Sequence, residues 1–335
     1  MRKDCPLIIA EAGVNHNGDL ELARELVSAA SDAGADYVKF QTFSADETVV
    51  KGTKTAAYQT SNTGLIDQHA MIAALELSIS EFEVLAEECR RRGITFLSTP
   101  FDYRLAQPLL EMGMDRIKVP SGEITNVVSL EHFATLETPI ILSTGMSTLA
   151  EVGEAVNLLQ RNGARDITLL QCTSEYPAPY PTINLRAMQT LATAFQLPVG
   201  YSDHTMGDHI AIAATALGAT VIEKHFTLDR TLPGPDHKAS LEPDELARMV
   251  KCIRETSQAL GDGVKAPSPV EIDTAVLVRR SWHAARELSA DTILTAADLT
   301  LKRPADGLMP KDMPLGRKLK EAISVGEPIR SDDLV

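Results

Sequence analysis

The stretch LIIAEAGVNHNGDLELARELVSAASDAGADYVKFQTF, residues 7–43, contains the repeating unit of the fold. The apolar run LIIAEAG is followed by a helical pattern from Leu20 to Ala33 that stops at Gly34, and the apolar run YVKFQTF comes next. Short apolar runs are typical of buried strands, and a 3.6-residue apolar pattern is typical of an amphipathic helix. Residues 7–43 therefore predict a strand–helix–strand unit.

Further apolar runs continue this alternation along the chain. They are TFLSTP (95–100), RIKVPS (116–121), PIILSTG (139–145), ITLLQC (167–172), PVGYSD (198–203) and VIEKHF (221–226). Helix-like segments separate them, for example Ser80–Arg92 and Ala150–Gln160. Eight strands alternating with eight helices over about 260 residues predict an α/β protein with a (β/α)8 TIM barrel. A doubly wound open sheet is the alternative, but no G-x-G-x-x-G follows the first run.

The alternation stops after Leu260, at the glycine- and proline-rich stretch GDGVKAPSPVEID. We therefore predict a barrel over residues 1–265, a linker over 266–280 and a small C-terminal domain over 281–335, which is too small to be very stable alone. Two connections, 44–77 and 227–241, exceed the roughly 2–6 residues usual in such units. We expect both connections to cap the mouth of the barrel.

Composition excludes several functional classes. Thirty-two basic against 46 acidic residues give a net charge of −14, which argues against nucleic acid or an anionic membrane as partner. No uncharged apolar stretch is long enough to cross a bilayer, and the N-terminus reaches Glu11 too soon for a signal peptide, so we expect a cytoplasmic protein. The cysteines lack C-x-x-C spacing, which disfavours zinc ribbons and disulfide frameworks; they are Cys5, Cys89, Cys172 and Cys252.

Alternation along the predicted strands places polar side chains at the barrel mouth. Every second residue of a strand faces the interior, and active sites of such barrels lie at the carboxyl ends of the strands. Polar residues come late in most runs, which predicts a lined active site and hence an enzyme. The predicted inward residues are Glu11, Tyr37, Lys39, Gln41, Thr99, Arg116, Lys118, Ser143, Ser202, His204, Glu223 and His225.

Two histidines indicate a metal site. His204 and His225 end neighbouring predicted strands of the closed barrel, about 5 Å apart. Two imidazoles with carboxylates nearby, at Asp203, Glu223 and Asp236, suit one divalent ion with open positions for water and substrate. Mn²⁺, Fe²⁺, Co²⁺ and Zn²⁺ all fit these ligands. The alternative is a pair of hydrogen-bonded core histidines.

Two inward lysines, Lys39 and Lys118, need an anionic partner because they are expected to be buried. A phosphate or carboxylate ligand would serve, with short hydroxyl donors from Ser121, Ser143 and Ser202. The alternative is a structural ion pair with Glu11 or Glu123. A Schiff base on Lys118 is a further alternative, testable by borohydride trapping.

Several of these segments together resemble one enzyme family. They are residues 8–43, FLSTPFD (96–102), KVPSGEITN (118–126), ILSTGMST (141–148), TSEYPAP (173–179), VGYSDHT (199–205) and IEKHFTLDRTLPGPDHKASLEPDEL (222–246). In this order they closely resemble the sialic acid synthase family, over nearly the whole chain. LTLKRPADG (299–307) resembles the KRP motif of that family's C-terminal antifreeze-like (SAF, β-clip) domain.

The resemblance implies a reaction and roles for individual residues. Members condense phosphoenolpyruvate with an N-acetylmannosamine-type N-acetylated hexosamine and water, and release phosphate and a nine-carbon acid. It implies that His204 and His225 bind a divalent metal, Mn²⁺ first, with Mg²⁺ or Co²⁺ as alternatives. Phosphoenolpyruvate contacts would be Lys39, Thr99, Lys118, Ser121, Ser143 and Ser202, and sugar contacts Glu11, Gln41, Asp67, Ser174, Tyr176 and Asp236.

The resemblance also implies a catalytic base and an assembly. Glu123 would draw a proton from the attacking water, with Glu11 and Lys118 as further catalytic residues. Arg303 would reach the sugar from the small domain of the partner subunit, which implies a domain-swapped homodimer.

One loop bears on the choice of sugar. Ser174-Glu175-Tyr176 stands where N-acetylneuraminic acid synthases tend to have Asn-x-Tyr, and it resembles legionaminic acid synthases, which use a 2,4-diacetamido-6-deoxy sugar. Synthases of 3-deoxy sugar acids from phosphorylated sugars are a second enzymatic alternative, but they would need more basic residues at the mouth than Arg303. A non-catalytic sugar- or ice-binding protein would not need the inward lysines and histidines.

Overall fold

The computed structural model describes residues 5–335, and the chain divides into two compact units between Gly261 and Asp262. In the first unit the strands are β1 (Leu7–Gly13), β2 (Tyr37–Thr42), β3 (Thr95–Pro100), β4 (Ile117–Val119), β5 (Ile140–Ser143), β6 (Ile167–Cys172), β7 (Val199–Asp203) and β8 (Val221–His225). The helices are α1 (Leu20–Asp32), α2 (Ala45–Thr48), α3 (Ala57–Thr63), α4 (Gln68–Ala73), α5 (Ile79–Arg92), α6 (Ala106–Glu111), α7 (Val127–Thr135), α8 (Leu149–Arg161), α9 (Ala187–Phe195), α10 (His209–Ala216) and α11 (Pro243–Leu260).

The eight strands form one parallel sheet that curves into a barrel. Their order is β3-β2-β1-β8-β7-β6-β5-β4, so β1 pairs with both β2 and β8, and β3 lies beside β4. This order confirms the predicted TIM barrel and rules out the doubly wound sheet, in which the first and last strands would not pair. The carboxyl ends of all eight strands consequently meet at one mouth.

Local sequence signals explain where the elements begin and end. The Asp19 side chain accepts hydrogen bonds from the first turn of α1, and Gly34, at a φ of +80°, follows the helix. Two predicted strands are each three residues shorter in the structure: RIKVPS, which is followed by a 3-10 turn at Ser121–Glu123, and PIILSTG. Near-continuous burial of the strands matches a parallel sheet covered by helices.

The two long connections contain short helices. Residues 44–77 include α2, α3 and α4, and residues 227–241 include the 3-10 turn His237–Ala239. The Asn62 amide of the first connection donates a hydrogen bond to the Pro235 carbonyl of the second, at 2.8 Å. The two connections are therefore in contact, and residues of both line the mouth of the barrel.

The second unit has its own small core. Its elements are α12 (Pro269–Val278), β9 (Ser281–Ala284) and β10 (Leu299–Lys302), and β9 pairs antiparallel with β10. Buried apolar side chains that include Trp282, Leu294 and Leu319 pack together here. Residues 266–280, assigned to a linker from the sequence, contain α12, which begins at a capping box of Ser268 and Glu271. No helix among the described residues is long and apolar enough to cross a membrane.

Candidate active site

A cavity of about 490 Å³ opens at the carboxyl ends of the strands. Most of the site residues expected from the sequence line it: Glu11, Lys39, Gln41, Thr99, Lys118, Ser121, Ser143, Ser174, Tyr176, Ser202, His204, His225 and Asp236. They come from seven of the eight strands and from loops that follow strands, including the loop after β6. The barrel therefore gathers residues that are far apart in the chain.

Buried charges lie at the inner end of this cavity. Lys39 Nζ lies 2.7 Å from Glu11 Oε2 and 3.7 Å from Glu223 Oε2, and Lys118 Nζ lies 3.5 Å from Glu223 Oε1. All four residues are at most 5% exposed. Both lysines thus have carboxylate partners, as in the ion-pair alternative, but the shared partner is Glu223. We call these four side chains the charge cluster.

Hydroxyl groups surround the charge cluster. Lys39 Nζ donates to Thr99 Oγ1 at 3.0 Å, Lys118 Nζ donates to Ser143 Oγ at 2.8 Å, and Ser202 Oγ donates to Glu223 Oε1 at 2.9 Å. All of these residues line the cavity. A bound anion could replace the carboxylates as the partner of the two ammonium groups and of the Ser202 hydroxyl.

The pKa values of the charge cluster reflect burial and charge together. Burial alone would raise the pKa of Glu223, but the charges of Lys118 and Lys39 lower it to about 2. Burial lowers the pKa of Lys118, and burial raises the pKa of Glu11. Glu223 Oε2 is buried and accepts no hydrogen bond among the described residues. The cluster is therefore charged, desolvated and incompletely satisfied, as expected of a binding site.

The two histidines face each other at the same mouth. His204 directly follows β7, His225 ends β8, and their ring centroids lie 5.5 Å apart. His204 Nδ1 lies 2.7 Å from the Thr173 carbonyl, so Nδ1–H donates there and Nε2 is left for a ligand. His225 Nδ1 is buried without a hydrogen-bond partner among the described residues. Of the two histidines, His204 is hydrogen-bonded to the protein, whereas within residues 5–335 His225 Nδ1 is not.

Burial and nearby charges act on both imidazoles. Burial lowers the pKa of His225 well below its usual value, and His204 and Lys39 add to this effect, so His225 is neutral, the form that binds metals. The pKa of His204 is raised despite its burial, because the Cys172 thiol at 3.9 Å and the Thr173 carbonyl favour the protonated ring. The Tyr176 ring lies 4.1 Å from the ring of His204.

A glycine allows two serines to approach the mouth. Gly145 N donates to Ser121 Oγ at 2.9 Å. A Cβ at position 145 would collide with the hydroxyl oxygens of both Ser121 and Ser174. The glycine of ILSTG is therefore required by the close packing of two residues that line the cavity.

The outer part of the cavity is lined by different chemistry. Residues from the connection 44–77 and the loops beside it are mostly apolar or carry amides: Phe43, Val49, Gln59, Gln68, Met71, Ile72, Leu75 and Phe101. Lys39 and Lys118 are the only lysine or arginine side chains that line the cavity, within residues 5–335. Alternation along the strands carries no information about this outer wall, and the length of the connection was its one signal in the sequence.

Some expected residues lie outside the cavity lining. Glu123 follows Ser121 and Gly122, which line the cavity, but its own carboxylate accepts a hydrogen bond from Asn126 at 2.6 Å. Asp67 caps the N-terminus of α4 and accepts from the Ala70 amide. Arg303 is an exposed residue of the second unit.

Arg116, expected to face the interior, does not line the cavity either. Its guanidinium lies 4.8 Å from the centre of the Tyr37 ring and pairs with Asp115 at 2.9 Å. Arg116 precedes β4 and so lies at the opposite end of that strand from the mouth. Alternation along a strand predicts which residues face the interior, but it does not predict at which end of the barrel they lie.

Fold and site together define a barrel enzyme whose active site lies at the carboxyl ends of its strands. Residues 26–265 match the NeuB family and residues 279–335 match the SAF domain. The chain belongs to the NeuB family, and the resemblance drawn from its sequence is confirmed. The chain is accordingly an enzyme of the sialic-type acid synthases.

Named relatives support this membership. The chain is 51% identical to N,N'-diacetyllegionaminic acid synthase of Campylobacter jejuni over 90% of this chain and 91% of the relative. It is 48% identical to the synthase of the same name from Legionella pneumophila, over 95% and 92%. The crystal structure of N-acetylneuraminic acid synthetase from Leptospira borgpetersenii in complex with citrate is similar at 36% identity and a TM-score of 0.72, covering 81% of this chain and 90% of that one.

Proposed function

We propose that this enzyme condenses phosphoenolpyruvate with 2,4-diacetamido-2,4,6-trideoxymannose and water, in a metal-dependent reaction that releases phosphate and a diacetylated nine-carbon acid. The observation that carries the proposal is the division of one cavity into a charged inner end and an outer wall of apolar and amide side chains. The names of relatives about half identical to this chain support the same sugar.

Phosphoenolpyruvate fits the inner end because it brings both a carboxylate and a phosphate. Lys39 and Lys118 supply the cationic partners, and Thr99, Ser143 and Ser202 already hydrogen-bond to the charge cluster. A doubly anionic ligand would complete the hydrogen bonds of two buried ammonium groups that now share Glu223.

The diacetamido sugar fits the outer wall. Its two acetyl methyl groups and its C6 methyl group can contact apolar side chains such as Val49, Met71 and Ile72, while the Gln59 and Gln68 amides can pair with its acetamido groups. A phosphorylated acceptor sugar would need a further cation, and the cavity offers none beyond Lys39 and Lys118 within residues 5–335. This disfavours the synthases that act on sugar phosphates.

His204 and His225 fit a divalent metal. Their facing rings suit a two-nitrogen site: His204 Nδ1 is used by the Thr173 carbonyl, which leaves Nε2, and the neutral His225 has a buried Nδ1 with no hydrogen-bond partner among the described residues. No third His, Cys, Asp or Glu joins them in a metal-binding group among the described residues, so water and substrate oxygens would complete the coordination. When bound, the metal would act as a Lewis acid on the sugar aldehyde; Mn²⁺ is our first candidate, with Mg²⁺ or Co²⁺ as alternatives.

The residues of this chain would bind, orient and move protons. C3 of phosphoenolpyruvate attacks the aldehyde carbon of the open-chain sugar, and water adds to C2. Glu123 would take the proton of that water, and the hemiketal phosphate would then lose phosphate by C–O cleavage. Lys39 and Lys118 would hold the carboxylate and phosphate throughout. Arg303 would contact the sugar from a partner subunit in a domain-swapped homodimer.

Phosphate release tests the reaction and the sugar together. The purified enzyme is incubated with Mn²⁺, phosphoenolpyruvate and one sugar at a time. We expect the 2,4-diacetamido-6-deoxy sugar to give at least tenfold higher kcat/KM than N-acetylmannosamine, about 1.4 kcal/mol of discrimination. Equal kcat/KM values for the two sugars would contradict the proposed sugar. No phosphate release with any sugar would contradict the proposed reaction.

Two variants test the assigned roles. Glu123→Gln should retain metal binding, measured by titration with Mn²⁺, and lose most of kcat; near-normal kcat would exclude Glu123 as the base. Arg303→Ala should raise the KM for the sugar more than it lowers kcat, because a contact made equally in the ground and transition states is uniform binding. An unchanged KM would contradict the swapped-domain assignment.

A further inference from the structure

Two loops that flank the active site are joined by buried hydrogen bonds. Asn15, in the loop VNHNGD after β1, donates from Nδ2 to the Phe226 carbonyl at 2.8 Å and to Ser240 Oγ at 2.9 Å. Ser240 Oγ in turn donates to the Asp236 carbonyl at 2.7 Å. The loop after β1, which lends only Val14 to the cavity lining, thus reaches the main chain of a cavity-lining residue through two hydrogen bonds.

His237 makes a second connection between the same loops. Its Nε2 lies 3.1 Å from Asn17 Oδ1, and its Nδ1 lies 2.7 Å from Thr227 Oγ1. An amide oxygen only accepts, so Nε2 carries the proton and Nδ1 accepts from the Thr227 hydroxyl. The ring is fully buried and its pKa is lowered to about 4 by burial. A neutral imidazole of fixed tautomer therefore bridges the two loops.

The packing between the loops leaves no room for a side chain at Gly234. A Cβ there would lie 2.6 Å from His237 Cδ2 and 2.8 Å from Asn17 Oδ1, and the φ of Gly234 is +154°. The two loops are therefore fitted closely as well as hydrogen-bonded. We call Asn15, Asn17, Thr227, His237 and Ser240 the rim clamp.

The rim clamp acts on the main chain around Asp236. The Asp236 carbonyl accepts from Ser240, and the next residue, His237, is held between Asn17 and Thr227. On the other side, the Pro235 carbonyl accepts from Asn62. Pro235 and Asp236 both line the cavity. With the backbone hydrogen-bonded on both sides, the position from which the Asp236 side chain extends is set by residues that do not line the cavity.

We propose that Asn15, Asn17 and His237 are positioning residues for the sugar, acting through Asp236. The inference rests on the proposed function, in which the charge cluster holds phosphoenolpyruvate, and on the sugar contact that the family resemblance implies for Asp236, which lines the cavity. A small displacement of Asp236 weakens sugar binding, whereas the charge cluster lies within the paired strands β1, β2, β4 and β8 themselves and keeps its geometry. Loss of the clamp thus raises the KM for the sugar and leaves the KM for phosphoenolpyruvate unchanged.

Asn17 offers a sharp set of variants because its φ is +53°, where glycine is unstrained. Asn17→Gly removes the acceptor for His237 without backbone strain, and Asn17→Asp restores an oxygen acceptor. The matched control is Asn184→Gly, since Asn184 is also an asparagine at positive φ (+48°) but is exposed and lies outside the clamp.

Steady-state kinetics of the full-length, metal-loaded enzyme provide the first readout. We expect Asn17→Gly to raise the sugar KM about tenfold, with the KM for phosphoenolpyruvate within about twofold, and Asn17→Asp and Asn184→Gly to stay close to the unmodified enzyme. In an Asp236→Ala background, Asn17→Gly should have no further effect on the sugar KM. An equal rise in both KM values, or the same tenfold rise in the Asp236→Ala background, overturns the proposal.

Hydrogen–deuterium exchange gives a readout that needs no substrate. Asn17→Gly should speed amide exchange within residues 227–241 at least tenfold and leave residues 173–182 unchanged; unchanged exchange within 227–241 overturns the clamp. If the unmodified enzyme releases no phosphate with any sugar, the proposed function fails, and exchange still decides whether the clamp holds the loop.

Discussion

The two faces of β7 and β8 bury charge in opposite ways. On the face away from the cavity, Lys224 Nζ lies 2.9 Å from Asp203 Oδ2 and donates to the Thr205 carbonyl at 2.5 Å. Asp203 Oδ1 accepts from the Thr205 amide and the Tyr201 hydroxyl. Both charged side chains are fully buried. Both carboxylate oxygens of Asp203 and the ammonium group of Lys224 thus have hydrogen-bond partners within the wall of the barrel.

On the face toward the cavity, the neighbouring residue Glu223 is shared by two lysines and keeps one oxygen without a hydrogen bond among the described residues. Burial is nearly the same on the two faces, so burial does not distinguish them. The two faces differ in how completely their charged groups are hydrogen-bonded. A fully paired ion pair stabilises the fold, whereas an incompletely hydrogen-bonded cluster beside a cavity is available to bind a ligand.

The largest effect, a loss of stability, is expected from removing one partner of the Lys224–Asp203 ion pair. Lys224→Met leaves Asp203 buried and uncompensated, which should lower the free energy of unfolding of the barrel by about 3–5 kcal/mol. Urea denaturation followed by far-UV circular dichroism measures it. The double variant Asp203→Leu/Lys224→Met should recover most of that loss, and a loss under about 1 kcal/mol in the single variant would contradict the comparison.

A smaller free-energy change, expressed in activity rather than stability, is expected on the other face. Lys118→Met should lower kcat/KM for phosphoenolpyruvate about 10²–10³-fold, or about 3–4 kcal/mol, because a buried cationic contact to the substrate is lost. The free energy of unfolding should change by no more than about 1 kcal/mol, since Glu223 keeps Lys39 nearby. A large loss of stability with kcat/KM preserved would reverse the roles of the two faces.

The buried, neutral His237 should make an intermediate, pH-dependent contribution to the free energy of unfolding. Burial lowers the pKa of His237 to about 4, below its ordinary 6.5, so its contribution is fully present above pH 6.5 and is lost as the pH falls toward 4. Between pH 6.5 and 5 this amounts to at most about 1.5 kcal/mol for this one group. His237→Gln should flatten the curve of unfolding free energy against pH in that window, compared at matched ionic strength. A curve of unchanged slope would exclude His237 as a contributor.

The smallest effect is expected from an exposed ion pair. Lys51 Nζ lies 3.3 Å from Asp46 Oδ1, and both side chains are more than 70% exposed. Water and salt screen such a pair, so Lys51→Ala should leave both the denaturation midpoint and kcat/KM unchanged. A measurable shift of the midpoint would show that exposure, too, fails to predict which charges matter.

Much of the fold and part of the site could be predicted from the sequence. Period-two alternation placed Lys39, Lys118 and His225 inside the barrel because a strand fixes the direction of each side chain by its position alone. The same rule does not tell at which end of the barrel an inward residue lies. Arg116 lies at the end away from the mouth, where its side chain contacts Tyr37. The helix α12 was not predicted because prolines precede its N-cap and begin its first turn, although its capping box was present in the sequence.

Other features depend on contacts between distant parts of the chain. Glu223 becomes the shared partner of Lys39 and Lys118 only because β8, β2 and β4 face one interior. The outer wall comes from a connection whose sequence has no simple period, so its residues could not be assigned to the cavity from the chain. Asn17 and His237 are 220 residues apart, and their hydrogen bond exists only when the barrel is closed.

The sequence by itself determined the barrel, the second small unit, the family and the identity of most residues at the mouth, because periodicity and motifs are local properties of the chain. Only the tertiary structure decided which buried charges are satisfied and which face the cavity, and which loop holds Asp236 in place. Those properties depend on distances between residues of different strands, which closure of the barrel sets.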